Sequence, residues 1–166
     1  MRSCSWFVIG SLIAGAGCSS AVEPLITAPP MSGLEISSAY EIAASATLVH
    51  DPDARVQYVL HVTNGTDADE QVSYGACWAE LRFYTTPART GTPLYDYGAP
   101  KPGTGCTANW NETTVAPGGV ADLVGYISMR ELTAAGVPQG HYYVSLVVAP
   151  NGATTQIAAG EVDVQP

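Results

Sequence analysis

From Val56 the chain alternates Val56, Tyr58, Leu60 and Val62 against Gln57, Val59, His61 and Thr63. Successive strand side chains point to opposite faces, so this period of two predicts a strand with one buried face. Asn64-Gly65 ends it with a pair that tolerates positive φ, and Thr66 to Asp69 predict a loop longer than the tightest hairpin. Glu70 to Tyr74 and Ala79 to Tyr84 supply two further strands, with Val72, Tyr74, Leu81 and Phe83 as inward candidates. Ala116-Pro117-Gly118-Gly119 makes a turn before the apolar, β-branched run from Val120 to Ser128. Ser128 and Glu131 have capping-box spacing and Gly136 stands where a left-handed C-terminal residue is needed, which predicts one short helix. After Pro138-Gln139-Gly140, the positions Tyr142, Val144, Leu146 and Val148 alternate with Tyr143, Ser145 and Val147 as another strand. Asn151-Gly152 turns the chain into a closing strand from Thr154 to Val164, bulged near Gly160.

About seven short strands separated by turn signals predict an all-β chain, an immunoglobulin-like antiparallel β-sandwich with one short helix. No alternation of strand and long helix occurs, and the glycine-rich stretches lie in hairpin turns, which argues against a phosphate-binding loop. The stretch from Pro87 to Glu112 contains Pro87, Pro93, Pro100 and Pro102 and is the least regular part of the body. Loops longer than about 12 to 15 residues are usually functional or disordered.

Upstream of the body, Met1 to Gly17 carry Arg2, an apolar run from Trp6 to Ala14, and small residues at the end. That is the pattern of an exported signal peptide, too short to span a bilayer. Gly15-Ala16-Gly17-Cys18 resembles the end of a bacterial lipoprotein signal, which implies lipidation of Cys18, and Ser19 resembles lipoproteins sorted to an outer membrane. Ordinary cleavage near Ala16 or Ala21 is the alternative. The expected organisation is a signal peptide over 1–17, a lipidated N-terminus and Pro-rich linker over 18–33, and the sandwich domain over 34–166.

Composition narrows the partners. Six Lys and Arg against 15 Asp and Glu in 166 residues give a formal charge of −9, which repels phosphate backbones and anionic bilayers. Nucleic acid is therefore not expected as a partner, and the membrane is expected only through the lipid anchor. Of four cysteines, Cys4 leaves with the signal and Cys18 is the anchor; Cys77 and Cys106 remain, most simply as a disulfide in an exported protein. Neither has a second ligand at zinc-site spacing, and no Cys-x-x-Cys is present, so no metal and no cofactor are expected.

Catalytic chemistry has little to stand on. No Gly-x-Ser-x-Gly occurs, carboxylate pairs cannot be assigned, and the chain reads as a non-enzyme. His61 and His141 fall on outward phases and read as solvated. His50-Asp51-Pro52-Asp53 reads as a turn, the alternative being a cation site completed by Asp67, Asp69 or Glu70. Trp78, Tyr95, Tyr97 and Trp110 lie in or beside the long loop and form the candidate binding surface, since exposed aromatic faces anchor interfaces and stack on sugars. In the alternative, Trp78 packs on the Cys77 disulfide and Trp110 covers one end of the sandwich. Asn64-Gly65-Thr66 and Asn111-Glu112-Thr113 match the glycosylation acceptor pattern and read as turn chemistry.

Val62-Thr63-Asn64-Gly65-Thr66, Leu81-Arg82-Phe83-Tyr84, Ala116-Pro117-Gly118-Gly119 and Gly140-His141-Tyr142-Tyr143-Val144 together resemble the BsuPI-type intracellular proteinase inhibitor domain over about Ala54 to Val164. The resemblance implies an immunoglobulin-like sandwich and, for the family's founding members, serine-protease inhibition. No reactive-site residue carries over, and an exported, disulfide-bonded chain departs from an intracellular family. The expectation is an extracytoplasmic, lipid-anchored protein-binding module of the cell envelope, on the outer membrane where one exists. Its partner is an envelope or extracellular protein, and protease inhibition is what the resemblance adds. A carbohydrate-binding module for envelope glycans is the second reading; a passive structural component using its sheet edge is the third.

Overall fold

The computed structural model describes residues 33–36, 39–50, 53–76, 78–97 and 110–165. These form β1 (Leu34–Glu35), β2 (Tyr40–Val49), β3 (Arg55–Asn64), β4 (Glu70–Tyr74), β5 (Ala79–Tyr84), β6 (Tyr95–Tyr97), β7 (Asn111–Val115), β8 (Val120–Ser128), α1 (Met129–Ala134), β9 (Gly140–Val148) and β10 (Thr155–Val164). Three sheets have the orders β2-β3-β8, β10-β9-β5-β6 and β1-β4-β7, and every strand pairing is antiparallel. The expected mostly-β, antiparallel chain with one short helix is what is found.

The strand count exceeds the expected seven. β2 was not legible because Tyr40 to Val49 is rich in Ala and Ser and alternates weakly. Its partner decides it: β2 pairs with β3 along its whole length, from Tyr40 opposite Asn64 to Val49 opposite Arg55. β6 and the start of β7 cut into the stretch read as irregular, and β6 is held by pairing with Leu81 to Phe83.

Local signals behave as chemistry demands. Ser128 caps α1, its Oγ accepting from the Glu131 N–H while the Glu131 carboxylate accepts from the Ser128 N–H. The β9–β10 register shifts between Ala158 and Gly160, and Gly160 adopts φ +110°, a conformation that favours glycine. Arg89 braces this bulge from the β5–β6 connection, donating to Gly160 O at 3.0 Å and to Val144 O at 3.1 Å while lying over the Tyr143 ring.

One apolar core joins all three sheets. Val56, Leu60, Val62, Leu123 and Ile127 meet Leu81, Phe83, Val144, Leu146 and Val148, with Leu34, Val72 and Val115 from the small sheet. Phe83 stands edge-on to Tyr142 with centroids 6.0 Å apart. Asn64 ties the small sheet to β3. Its side chain is buried, donates to Val115 O and Ala68 O at 2.8 Å each, and accepts from Thr66 N–H and Thr66 Oγ. All of its amide hydrogen-bonding capacity is used, which a buried polar group requires.

Candidate functional site

β8 is the open side of the β2-β3-β8 sheet. Two bonds bracket its ladder: Asn64 N–H donates to Gly119 O at 3.0 Å and Met129 N–H to Ala54 O at 3.1 Å. In an antiparallel pair the bonded positions alternate. Between those ends the phase makes Ala121, Leu123, Gly125 and Ile127 the β8 residues bonded to β3. Val120, Asp122, Val124 and Tyr126 therefore turn their backbone N–H and C=O away from the sheet. Among the described residues no strand pairs with that side.

The same four residues carry side chains on the outer face, and three are large and apolar. Val120 is 57% exposed, Val124 42% and Tyr126 45%. Strand β8 thus offers a row of outward backbone groups that no strand among the described residues pairs with, flanked by exposed apolar side chains, a template for another strand. The inner phase locks it in place: Leu123 and Ile127 are in the core, and Gly125 lies under the Tyr58 ring.

Beside β8 the outer face is polar and ordered. The Arg55 guanidinium sits 4.4 Å from the Tyr126 ring centroid. Ser45 Oγ lies 3.0 Å from His61 Nε2, and His61 Nδ1 lies 2.7 Å from Asp122 Oδ1. That is the order of a serine, a base and an orienting carboxylate, brought from three strands. Acyl transfer also needs donors aimed at the developing oxyanion. Gly65 N–H donates to Ala39 O at 3.1 Å, and this phase puts the Ser45 N–H into the ladder opposite Val59. Among the described residues the nucleophile's own amide is therefore engaged, and the three side chains stand on an exposed sheet face.

Two further ionisable clusters lie on the other large sheet. His141 bridges Asp163 through Nδ1 at 2.9 Å and Glu161 through Nε2 at 3.1 Å. The hydrogen bond to Asp163 raises its pKa, with Glu161 adding to the effect. Glu80 is buried and paired with Arg82 at 2.7 Å, while Arg82 also meets Asp96 at 3.2 Å. Burial raises the Glu80 pKa, neighbouring Asp96 adds to it, and Arg82 opposes both. No group of His, Cys, Asp and Glu among the described residues is arranged to hold a metal ion.

Of the aromatic residues singled out in the sequence, Trp78 and Tyr95 pack inward. Trp78 is a core residue, 7% exposed, tilted against Tyr58 at 5.6 Å, because it enters β5 facing inward. Its burial agrees with the alternative in which Trp78 packs inward rather than lining a surface. Tyr95 packs against the core through Phe83 at 5.9 Å. Tyr97 pairs with Leu81 in β6, and Trp110 remains exposed just before β7. Cys18, expected to be lipidated, and both disulfide candidates, Cys77 and Cys106, lie outside the described residues, as do Asp51 and Pro52 of the expected His50 turn. His61, expected to be solvated, is half-buried between Ser45 and Asp122; His141 is exposed but doubly paired.

The β8 edge was the residue set missed by sequence reasoning. Its signal was present in the run Val120 to Tyr126, which contains neither Lys nor Pro to blunt an edge. No protein-family model matches the chain, and no curated protein matches its sequence.

Proposed function

We propose that the chain is a non-enzymatic, extracytoplasmic protein-binding module of the cell envelope, and that it binds by adding an extended strand of its partner to β8. The observation that carries this is the nine-residue β8 edge, whose outward backbone groups are accompanied by exposed Val120, Val124 and Tyr126. Backbone bonds supply affinity in such binding and alternate side chains supply selectivity. We further read the two large sheets and their shared core as an immunoglobulin-like sandwich, supported by their antiparallel orders and by β10 running alongside β2. Serine-protease inhibition rests on the BsuPI-type resemblance alone, and the glycan reading loses Trp78 to the core and keeps Trp110.

The binding reading is tested in producing cells with a photoreactive residue at position 120 of the full-length chain. A discrete protein adduct that disappears when Val124→Pro is added supports strand addition. Val124 N–H faces away from β3, so proline there removes an outward donor and leaves the internal ladder intact. An adduct indifferent to Val124→Pro, or none at all, overturns it. The export reading is tested by intact mass: a chain beginning at Cys18 with acyl mass, and no free thiol at Cys77 or Cys106, is the expected result.

A further inference from the structure

We propose that the strand received by β8 is β8 of a second copy of this chain, forming a two-fold dimer in which the β2-β3-β8 sheet continues into its mate. This rests on the reading of β8 as a docking edge and names the occupant.

The first argument is which edges are left open. Of the other edge strands, β1, β6 and β7 are two, three and five residues long, and β2 and β10 lie alongside each other. Short or covered edges resist pairing. β8 is nine residues long and carries one charge, Asp122, on its outward phase.

The second argument is self-complementarity. In a two-fold interface, if residue i faces residue j of the other copy, then j faces i. An antiparallel β8–β8 ladder bonds through the outward, even-numbered residues. Centring it on Asp122 would set two carboxylates face to face. Centring it on Val124, the midpoint of the strand, sets Val124 against its mate and Asp122 against Tyr126 of the other copy, and brings Val120 to Ser128, whose N–H is already held by Glu131, so the ladder runs through residues 122–126. In that register each Asp122 carboxylate falls beside the Arg55–Tyr126 stack of the other copy. An apolar centre and two opposite-charge contacts arise from one operation, which favours this copy-to-copy fit over capture of an arbitrary strand.

A single strand edge is a small interface, so the dimer is expected to be weak and reversible. The test is sedimentation of the full-length chain in density-matched detergent, over a range of protein concentrations. The wild type should reach dimer mass, while Val124→Pro and Val124→Lys should remain monomeric with unchanged circular dichroism. Asp122→Arg and Arg55→Glu should each weaken the dimer about threefold, and combining them should restore it. A wild type that stays monomeric, or a dimer untouched by both Val124 substitutions, overturns the proposal. If the wild type is monomeric yet the position-120 probe traps a different polypeptide in a Val124→Pro-sensitive way, only the second-copy occupant fails. If the probe also traps nothing, strand addition fails with it.

Discussion

Tyr58 lies so closely across Gly125 that a Cβ added at 125 would stand 2.2 Å from the Tyr58 Cζ. The two residues face each other directly in the β3–β8 pair, and the same ring packs on Trp78. The inner side of β8 is thereby fixed by an aromatic lid that needs hydrogen at its partner's α-carbon. Gly125→Ala should destabilise the domain by about 1 to 3 kcal/mol, the cost of overpacking a filled core. Urea denaturation checks this, and an unchanged midpoint would show that Tyr58 moves aside freely.

Asn64 predicts a second loss. Removing its amide leaves the Val115 and Ala68 carbonyls and the Thr66 N–H without their present partner. Asn64→Ala should cost roughly 1 to 3 kcal/mol, and hydrogen exchange should speed first where β3 hands over to β4. The same burial predicts that, in a glycosylating host, Asn64 stays unmodified while the exposed Asn111 is the accessible acceptor. Peptide mapping distinguishes the two.

His141 should titrate above an ordinary histidine, because its charged form is held by Asp163 and Glu161. A raised folded-state pKa contributes stability that is full below the unfolded value, about 6.5, and disappears as pH rises through the folded value. The β9–β10 pair is thus expected to be tighter in mild acid. An NMR titration of the His141 ring reads the midpoint directly, and Asp163→Asn should lower it. A wild-type midpoint at the ordinary value would refute the pairing.

Ser45 should stay unlabelled by a fluorophosphonate, despite its hydrogen bond to His61 and the His61 bond to Asp122. A nucleophile whose own amide is engaged in a ladder lacks the usual nearby oxyanion donor. Labelling that is lost in His61→Ala would make the face a hydrolytic site and displace the non-enzymatic reading.

Arg89 supplies a last prediction, about the bulge. Its guanidinium holds Gly160 O and Val144 O, and its own carbonyl accepts from Gln156 Nε2. Arg89→Ala should cost about 1 kcal/mol and raise exchange at residues 158–161 with little effect on β8. A uniform rise across both large sheets would contradict that locality.

The strongest local patterns were legible because their causes are local. The alternation in β3 and β9, the Ser128–Glu131 cap, the positive φ at Gly136 and the bulge at Gly160 each depend on neighbours within a few positions. β2 was hidden, since its Ala and Ser residues express no period and it is defined by β3 beside it. Trp78 was left open between surface and core for a related reason: an aromatic next to a long loop reads the same in sequence whether it faces solvent or Tyr58.

What the sequence determined by itself was the kind of element each segment forms, the acidic balance of the chain, and the absence of Lys and Pro between Val120 and Tyr126. The tertiary structure decided which of those strands is an edge, which faces are covered, and that Ser45, His61 and Asp122 meet. Periodicity is written along the chain, whereas being an edge depends on which strands pair across gaps of dozens of residues, and only the folded sheet order fixes that.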